Sequence, residues 1–184
     1  QYLEVLDRQS ARLRKLTADL TEASKASTGN IEVLLTPTDI CELIEQSAAE
    51  YTDRFADAGL TPVIRMPDEP VIVNADGKLL WRVFDNLLSN VCKYSLTGTR
   101  VYLDATTGER MACVTVRNIS SAPLGDIDPD ELTERFVRGD SARSGEGSGL
   151  GLSIARSLTD LQGGRLAIEI DGDMFKVSVV IPMI

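Results

Sequence analysis

The run Glu146-Gly147-Ser148-Gly149-Leu150-Gly151-Leu152-Ser153-Ile154-Ala155 sets three alternating glycines directly ahead of a helical pattern of apolar residues. Glycine lacks a Cβ, so it tolerates φ > 0 and lets another group approach its backbone closely. A helix opened by such a turn offers unpaired N–H groups and the positive end of its dipole to an anion. The run admits two readings: a cradle for phosphate, or a helix start that merely needs flexibility. Behind it, Leu150, Ile154, Ala155, Leu158 and Leu161 form one apolar stripe that stops at Gly163-Gly164. Arg165–Ile170 and Met174–Ile181 then read as strands joined through Asp171-Gly172-Asp173, a hairpin signal. A helix laid on antiparallel strands is the minimum this stretch requires.

The rest of the composition narrows the chemistry. With 184 residues, 43% of them hydrophobic, the chain can bury one good core plus an appendage. The net charge of −9 comes without a basic run long enough to follow a nucleic-acid backbone, which sets nucleic acid aside. No signal peptide or long apolar run is present, so this piece is expected neither to span a membrane nor to carry its own export signal. Cys41, Cys92 and Cys113 lie far apart without metal-ligand spacing and read as buried, reduced thiols. There is no histidine, which excludes a Ser-His-Asp triad, a Cys-His pair and any imidazole metal site within the chain.

Residues 1 to about 27 read as one long helix. Tyr2, Leu6, Gln9, Leu13, Leu16, Leu20 and Ala23 recur at steps of four and three, a nearly strict heptad seam. Such a seam wants partner helices, from its own domain, another chain or a preceding segment. Ser27-Thr28-Gly29-Asn30 breaks the helix, and Ile31–Leu35 is expected as a short strand. Thr36-Pro37-Thr38-Asp39 then reads as a helix entry with Thr38 or Asp39 as cap, ahead of the stripe Ile40, Leu43, Ile44, Ala48, Tyr51 and Phe55. Pro62–Met66 and Val71–Asn74 look like strands around a proline-rich turn, and Asp76-Gly77 starts the next helix. Arg100–Thr106 and Met111–Asn118 alternate like paired antiparallel strands. Residues 119 to about 147 carry few apolar residues, apart from a short helical piece at Pro129–Phe136, and suit a functional lid or a disordered segment.

The helix after Asp76 buries Leu79, Leu80, Val83, Phe84, Leu87, Leu88 and Val91, yet also carries Asn86, Asn90 and Lys93 at i, i+4 and i+7. That spacing gathers two amides and an ammonium on one face. Asparagine favours caps and turns over helix interiors, so the pair suggests a site as against a merely solvated face. An amide oxygen is a neutral donor for Mg²⁺, and lysine is a point charge suited to phosphate.

Three segments, in this order, resemble the motifs of one family. Asn86-Leu87-Leu88-Ser89-Asn90-Val91-Cys92-Lys93-Tyr94 is similar to an asparagine box, Glu134-Arg135-Phe136-Val137-Arg138-Gly139-Asp140 to a phenylalanine box, and Gly147-Ser148-Gly149-Leu150-Gly151-Leu152 to a second glycine box. The chain thereby resembles the catalytic ATP-binding domain of sensor histidine kinases, within the wider gyrase, Hsp90 and MutL group. The resemblance covers about residues 31–184 and implies an α+β, two-layer sandwich of Bergerat type. In it a mixed, mostly antiparallel sheet of about five strands packs on about three helices, with a lid near 119–147. Residues 1–28 resemble the second helix of the family's dimerisation and phosphoacceptor hairpin, which implies a homodimer built around a four-helix bundle.

The resemblance further implies ATP and Mg²⁺ as cofactors. Asn86, Asn90 and Lys93 would form the catalytic set, with Asn90 holding the metal and Lys93 offsetting phosphate charge. Tyr94 would flank the base or ribose. Gly147, Ser148, Gly149, Leu150, Gly151 and Leu152 would line the phosphates, Phe136 would anchor the lid, and Arg138 or Arg143 would reach the γ-phosphate. The acceptor histidine would lie on a helix ahead of Gln1, and a response regulator would take the phosphate onward. The family's setting implies a cytoplasmic domain of a membrane-anchored protein.

Two positions depart from the family pattern. The first glycine box, normally Asp-x-Gly-x-Gly, is replaced by Asn118-Ile119-Ser120-Ser121-Ala122. Asn118 keeps a carbonyl acceptor for the adenine amino group but loses the charge-assisted part, so weaker or altered adenine binding is expected. Asn86 stands where ATP-hydrolysing members carry a water-activating glutamate, and an amide is no general base. That disfavours an autonomous ATPase. A nucleotide-sensing or scaffolding module without phosphotransfer is the alternative.

Overall fold

The structure is a computed structural model that describes residues 2–27, 31–125, 128–129, 132 and 149–184. The expected phenylalanine box, with Phe136 and Arg138, as well as Arg143, Gly147 and Ser148, lies outside the described residues. Helix α1 spans Tyr2–Ser27. After it come β1 (Thr36–Asp39), α2 (Ile40–Glu50), α3 (Thr52–Asp57), β2 (Thr61–Arg65), β3 (Ile72–Ala75) and α4 (Gly77–Tyr94). The second half contributes β4 (Arg100–Thr107), β5 (Met111–Ile119), α5 (Gly151–Asp160), β6 (Arg165–Asp171) and β7 (Met174–Pro182).

The main sheet has five strands in the order β2-β4-β5-β7-β6. Only β2 and β4 run parallel, and the other neighbours are antiparallel. Alternation along β4 and β5 turns Val101, Leu103, Ala105, Ala112, Val114 and Val116 to the buried side. Opposite them lie Ile40 and Ile44 of α2, Leu80, Phe84, Leu87 and Leu88 of α4, and Ile154 and Leu158 of α5, all buried. One face of helices on one face of sheet is the two-layer sandwich expected from the sequence.

Two local expectations change. Residues 32–35 form no regular element, and the strand begins after them, at Thr36–Asp39, where it pairs antiparallel with β3 as a separate ribbon. Pairing with Ile72–Ala75 decides this, and apolar content does not, because Leu34 and Leu35 remain exposed. Asp39 closes that strand and also caps α2, accepting from the backbone N–H of Cys41 at 3.0 Å and of Glu42 at 3.4 Å. The apolar stripe from Ile40 to Phe55 is two helices and not one, divided at Tyr51.

The base of α4 is fixed by a polar knot. Asp76 accepts from the N–H groups of Lys78 (3.0 Å), Leu79 (3.2 Å) and Leu34 (3.0 Å). Its own N–H donates to Oε1 of Gln162 at 2.9 Å, while Nε2 of Gln162 donates to the Leu158 carbonyl at 2.8 Å. Gln162 is buried, so both ends of its amide are satisfied across 86 residues of sequence. The start of α4 is thereby tied to the end of α5, and the two helices run side by side.

Helix α1 divides its seam. Ala23 and Ala26 are buried in the core, whereas Leu6, Leu13 and Leu20 are exposed. Among the described residues, no helix is long and apolar enough to cross a membrane.

Candidate functional site

The polar face of α4 meets the start of α5. Asn86 donates from Nδ2 to the carbonyl of Arg82 at 2.9 Å, which orients its amide one turn back along the helix. That is a common accommodation for a side chain poorly suited to a helix interior. Gly151, the first residue of α5, lies against this face. A Cβ built on it would stand 3.4 Å from Asn86 Oδ1, 3.6 Å from Asn90 Oδ1 and 3.8 Å from Asn90 Nδ2. The absence of a side chain at Gly151 therefore leaves a methyl-sized gap between the helix start and both amides. Asn90 is half-buried, and its amide makes no hydrogen bond among the described residues.

The opening of α5 suits an anion in that gap. Leu150 at the cap position offers no side-chain hydrogen bond to the first turn, so the N–H groups there are not capped by it. Gly149 adopts φ of +69°, a left-handed turn that favours glycine. Leu150 itself is buried in the core, Leu152 packs against the core from a partly buried position, and Ser153 turns its hydroxyl back to the Leu150 carbonyl at 2.9 Å. Of the second glycine box, then, Leu150 and Leu152 anchor the helix, and what they offer a ligand is backbone. First-turn N–H groups that the Leu150 side chain does not cap, the helix dipole and two neutral amides form a set that fits a phosphate with a divalent cation.

Lys93 and Tyr94 lie on the last turn of α4, both exposed. The structure ties this turn to the end of β5: Ser121 donates its N–H to the Tyr94 carbonyl at 2.8 Å, Leu96 donates to the Ile119 carbonyl at 2.8 Å, and Ser95 bridges Ser120. Asn118 thus ends the strand beside the helix that carries Asn86 and Asn90. It continues the buried face of β5 after Val114 and Val116, and is itself 5% exposed. Its Nδ2 donates to the Ile119 carbonyl at 3.4 Å, and its Oδ1 receives no donor among the described residues. Serine replaces glycine in the next turn without opening it. Ser120 donates from Oγ to the Ala122 carbonyl at 2.7 Å, accepts from the Ala122 N–H at 3.3 Å, and donates its own N–H to the Asp173 carbonyl at 2.7 Å.

Beneath the site runs a polar network that the sequence reading missed. The Tyr51 hydroxyl donates to Asp85 Oδ1 at 2.6 Å, and Arg82 reaches Asp85 Oδ2 at 2.8 Å. Burial, together with the hydrogen bond and charge of Asp85, pushes the Tyr51 hydroxyl well above the ordinary tyrosine value, so it remains a donor. Burial alone disfavours the Arg82 charge, yet Glu22, Asp85 and Asp19 outweigh it and raise its pKa. Arg54 stacks 4.2 Å over the Tyr51 ring and donates to Ser89 at 3.4 Å. The signal available in sequence was the Arg82–Asp85 pair at i, i+3; Tyr51 was legible only as an apolar-stripe residue. Cys92, next to Lys93, is a half-buried thiol whose pKa burial raises, against the nearby charges of Arg54 and Lys93. Among the described residues, no cluster of acidic, cysteine or histidine side chains is placed to hold a metal, which leaves the amides as the candidate ligands.

Comparison with known proteins places the chain in one lineage. Residues 75–183 match the family described as histidine kinase-, DNA gyrase B-, and HSP90-like ATPase. The chain is 32% identical over 164 residues to the signal transduction histidine-protein kinase BaeS of Escherichia coli (strain K12), covering 88% of this chain and 34% of BaeS. It is 30% identical over 191 residues to the sensor histidine kinase TrcS of Mycobacterium tuberculosis, covering 97% of this chain and 36% of TrcS. The chain therefore spans about a third of the length of these curated relatives. Among solved structures, ShkA in complex with AMPPNP superposes with a TM-score of 0.83 at 23% identity, covering 99% of this chain and 38% of that one. At this identity the likeness speaks for the fold. The asparagine face of α4, the glycine start of α5 and the two-layer sandwich agree with the sequence match, and the chain belongs to the histidine kinase-, DNA gyrase B- and HSP90-like ATPase family.

Proposed function

We propose that the chain is the ATP-binding catalytic module of a sensor histidine kinase, acting on Mg²⁺-ATP and a histidine carried on another helix. The observation that carries the reading is the approach of Gly151, at the start of α5, to Asn86 and Asn90. Asn90 holds the metal through its amide oxygen, and Lys93 offsets phosphate charge from the same helix face. Gly149 and Gly151 admit phosphate to the backbone of the α5 start, with Gly147 and Ser148 ahead of them. Asn118 accepts the adenine amino group through Oδ1, and Tyr94 flanks the nucleoside. By the family resemblance, Phe136 would anchor the lid, and Arg138 or Arg143 would serve the terminal phosphate.

When bound, Mg²⁺ neutralises phosphate charge and orients the transferring group. The chain's own residues supply position and electrostatics, the main demands of phosphoryl transfer. Asn86 has no basic atom to activate water, and its Nδ2 is already committed to the Arg82 carbonyl. The site therefore keeps ATP intact until a protein nucleophile arrives. In this reading residues 1–28 are the second helix of a dimerisation hairpin and residues 31–184 the catalytic domain. The acceptor histidine precedes the chain, a response regulator aspartate receives the phosphate, and the full-length protein is a membrane-anchored homodimer. The exposed Leu6, Leu13 and Leu20 support a helical partner for α1.

A nucleotide-sensing module without transfer is the second reading, favoured by Asn118, Ser120 and Ala122 in place of the usual acid and glycines. Titration calorimetry of the chain with a non-hydrolysable ATP analogue, with and without Mg²⁺, tests the shared core of both. Binding that strengthens with Mg²⁺ and is lost in Asn90→Ala is the expected result. Binding indifferent to Mg²⁺ and to Asn90 would remove the metal role.

A further inference from the structure

Buried amides are ordinarily held at both ends, as that of Gln162 is. The amide of Asn118, in a residue only 5% exposed, is held firmly at neither. Its Nδ2 has one acceptor, the carbonyl of the adjoining Ile119 at 3.4 Å, which is long for an amide donor. Its Oδ1 receives no donor among the described residues. Asn86, by contrast, is fixed through Nδ2 to the Arg82 carbonyl at 2.9 Å. The two hydroxyls of the adjoining turn do not orient Asn118 either. Ser120 Oγ is spent on the Ala122 carbonyl at 2.7 Å. Ser95, which forms an antiparallel bridge with Ser120, has a buried Oγ without a hydrogen-bond partner. A hydroxyl gives or takes a hydrogen bond by rotating, so Ser95 favours neither end of the amide.

We propose that Asn118 makes the base pocket accept purines with either a 6-amino or a 6-oxo group, so that inosine and guanosine nucleotides bind alongside adenosine nucleotides. The inference rests on the functional reading above, in which Asn118 faces the base. A primary amide presents a donor and an acceptor side by side. With Oδ1 toward position 6, it accepts from the adenine amino group, and Nδ2 donates to the ring nitrogen N1. Turned over about χ2, Nδ2 donates to a 6-oxo group, and Oδ1 accepts from the N1–H that hypoxanthine and guanine carry. The turn gives up the long bond to Ile119 and sets Oδ1 toward that carbonyl, which leaves adenine ahead by a small factor. A carboxylate has acceptors alone. It pairs with a 6-amino purine, but against a 6-oxo purine it sets two acceptors face to face in a buried place. Asparagine at this position therefore changes which bases fit, besides lowering the strength of the bond to adenine.

Calorimetric titration of the chain with the Mg²⁺ complexes of ADP and IDP tests this, on wild type and Asn118→Asp. Diphosphates carry no γ-phosphate to lose, and hypoxanthine differs from adenine only at position 6 and N1. Wild type is expected to bind IDP within about tenfold of ADP, and Asn118→Asp to prefer ADP by about 100-fold or more. A wild-type preference for ADP well beyond about tenfold would overturn the proposal with no variant at all, so the test stands even where a buried charge at position 118 unfolds the domain. The same ADP-to-IDP ratio in both proteins would also overturn it, because Asn118 would then not read the base edge. If wild type binds neither diphosphate, the nucleotide reading itself falls and takes the proposal with it. ADP bound with IDP excluded leaves that reading in place and removes the dual specificity alone.

Discussion

Substituting Gly151 by alanine separates the site from the fold. The added methyl would lie 3.4 to 3.8 Å from the amide atoms of Asn86 and Asn90, ordinary contact distances, so nothing in the protein has to move. Gly151 is in the first turn of α5, where alanine is the better helix former by at most about 1 kcal/mol. Stability should therefore stay level or rise slightly, by no more than about 4 °C in a domain of this size. The methyl, however, fills the gap through which a phosphate would reach the helix N–H groups and an Asn90-bound metal. Losing that approach is worth roughly 1.5–3 kcal/mol, or about 10- to 150-fold in Kd. Thermal unfolding followed by circular dichroism, paired with calorimetric titration of a Mg²⁺-ATP analogue, gives both numbers from one preparation. Affinity within about threefold of wild type would refute the assignment of this gap to phosphate. A large drop in Tm would show that Gly151 serves packing alone.

Three further perturbations probe the supports around the site. Gln162→Ala leaves the half-buried Asp76 N–H without its acceptor and should cost about 1–3 kcal/mol in urea unfolding, with nucleotide affinity unchanged. Tyr51 has a folded pKa raised above its unfolded value of about 10, so its contribution is fully present below that pH and is lost as pH climbs beyond it. Stability of the wild type should thus fall more steeply above pH of about 10 than that of Tyr51→Phe, and parallel alkaline limbs would contradict the buried Tyr51–Asp85 bond. Asn118→Asp restores a charged acceptor and should tighten adenine-nucleotide binding several-fold, while burying a carboxylate that can no longer donate to Ile119 should lower Tm. An unchanged affinity would remove Asn118 from base recognition.

Much of this was legible in the residues. The stripes of α4 and α5, the alternation of β4 and β5 and the hairpin at Gly172 carry their own periodicity, because each buries one face against a single partner layer. Asn86 and Asn90 announced a site because leucines surround them, and the structure sets both against Gly151. What was not legible depends on partners distant in sequence. Thr36–Asp39 is a strand because Ile72–Ala75 lies alongside it, and no local pattern in Thr-Pro-Thr-Asp says so. Gln162 looks like a surface residue at a helix end until the Asp76 N–H, 86 positions away, meets it. The partners of Arg82 are hidden for the same reason, since Glu22 and Asp19 approach from 60 and 63 positions away. Ser120 of the altered first glycine box reads in the sequence only as a departure that would weaken or alter adenine binding. Its hydroxyl also closes the turn, through contacts two residues on, which the residues alone do not announce.

The central claim is that this chain passes the γ-phosphate of ATP to a histidine outside itself. The direct measurement follows radiolabel from γ-labelled ATP into the full-length protein, with Asn90→Ala beside wild type. Acid-labile, base-stable label on wild-type protein, absent from Asn90→Ala and transferable to a receiver domain, is the predicted result. Tight Mg²⁺-ATP binding with no labelled protein, or label that survives Asn90→Ala, would contradict it.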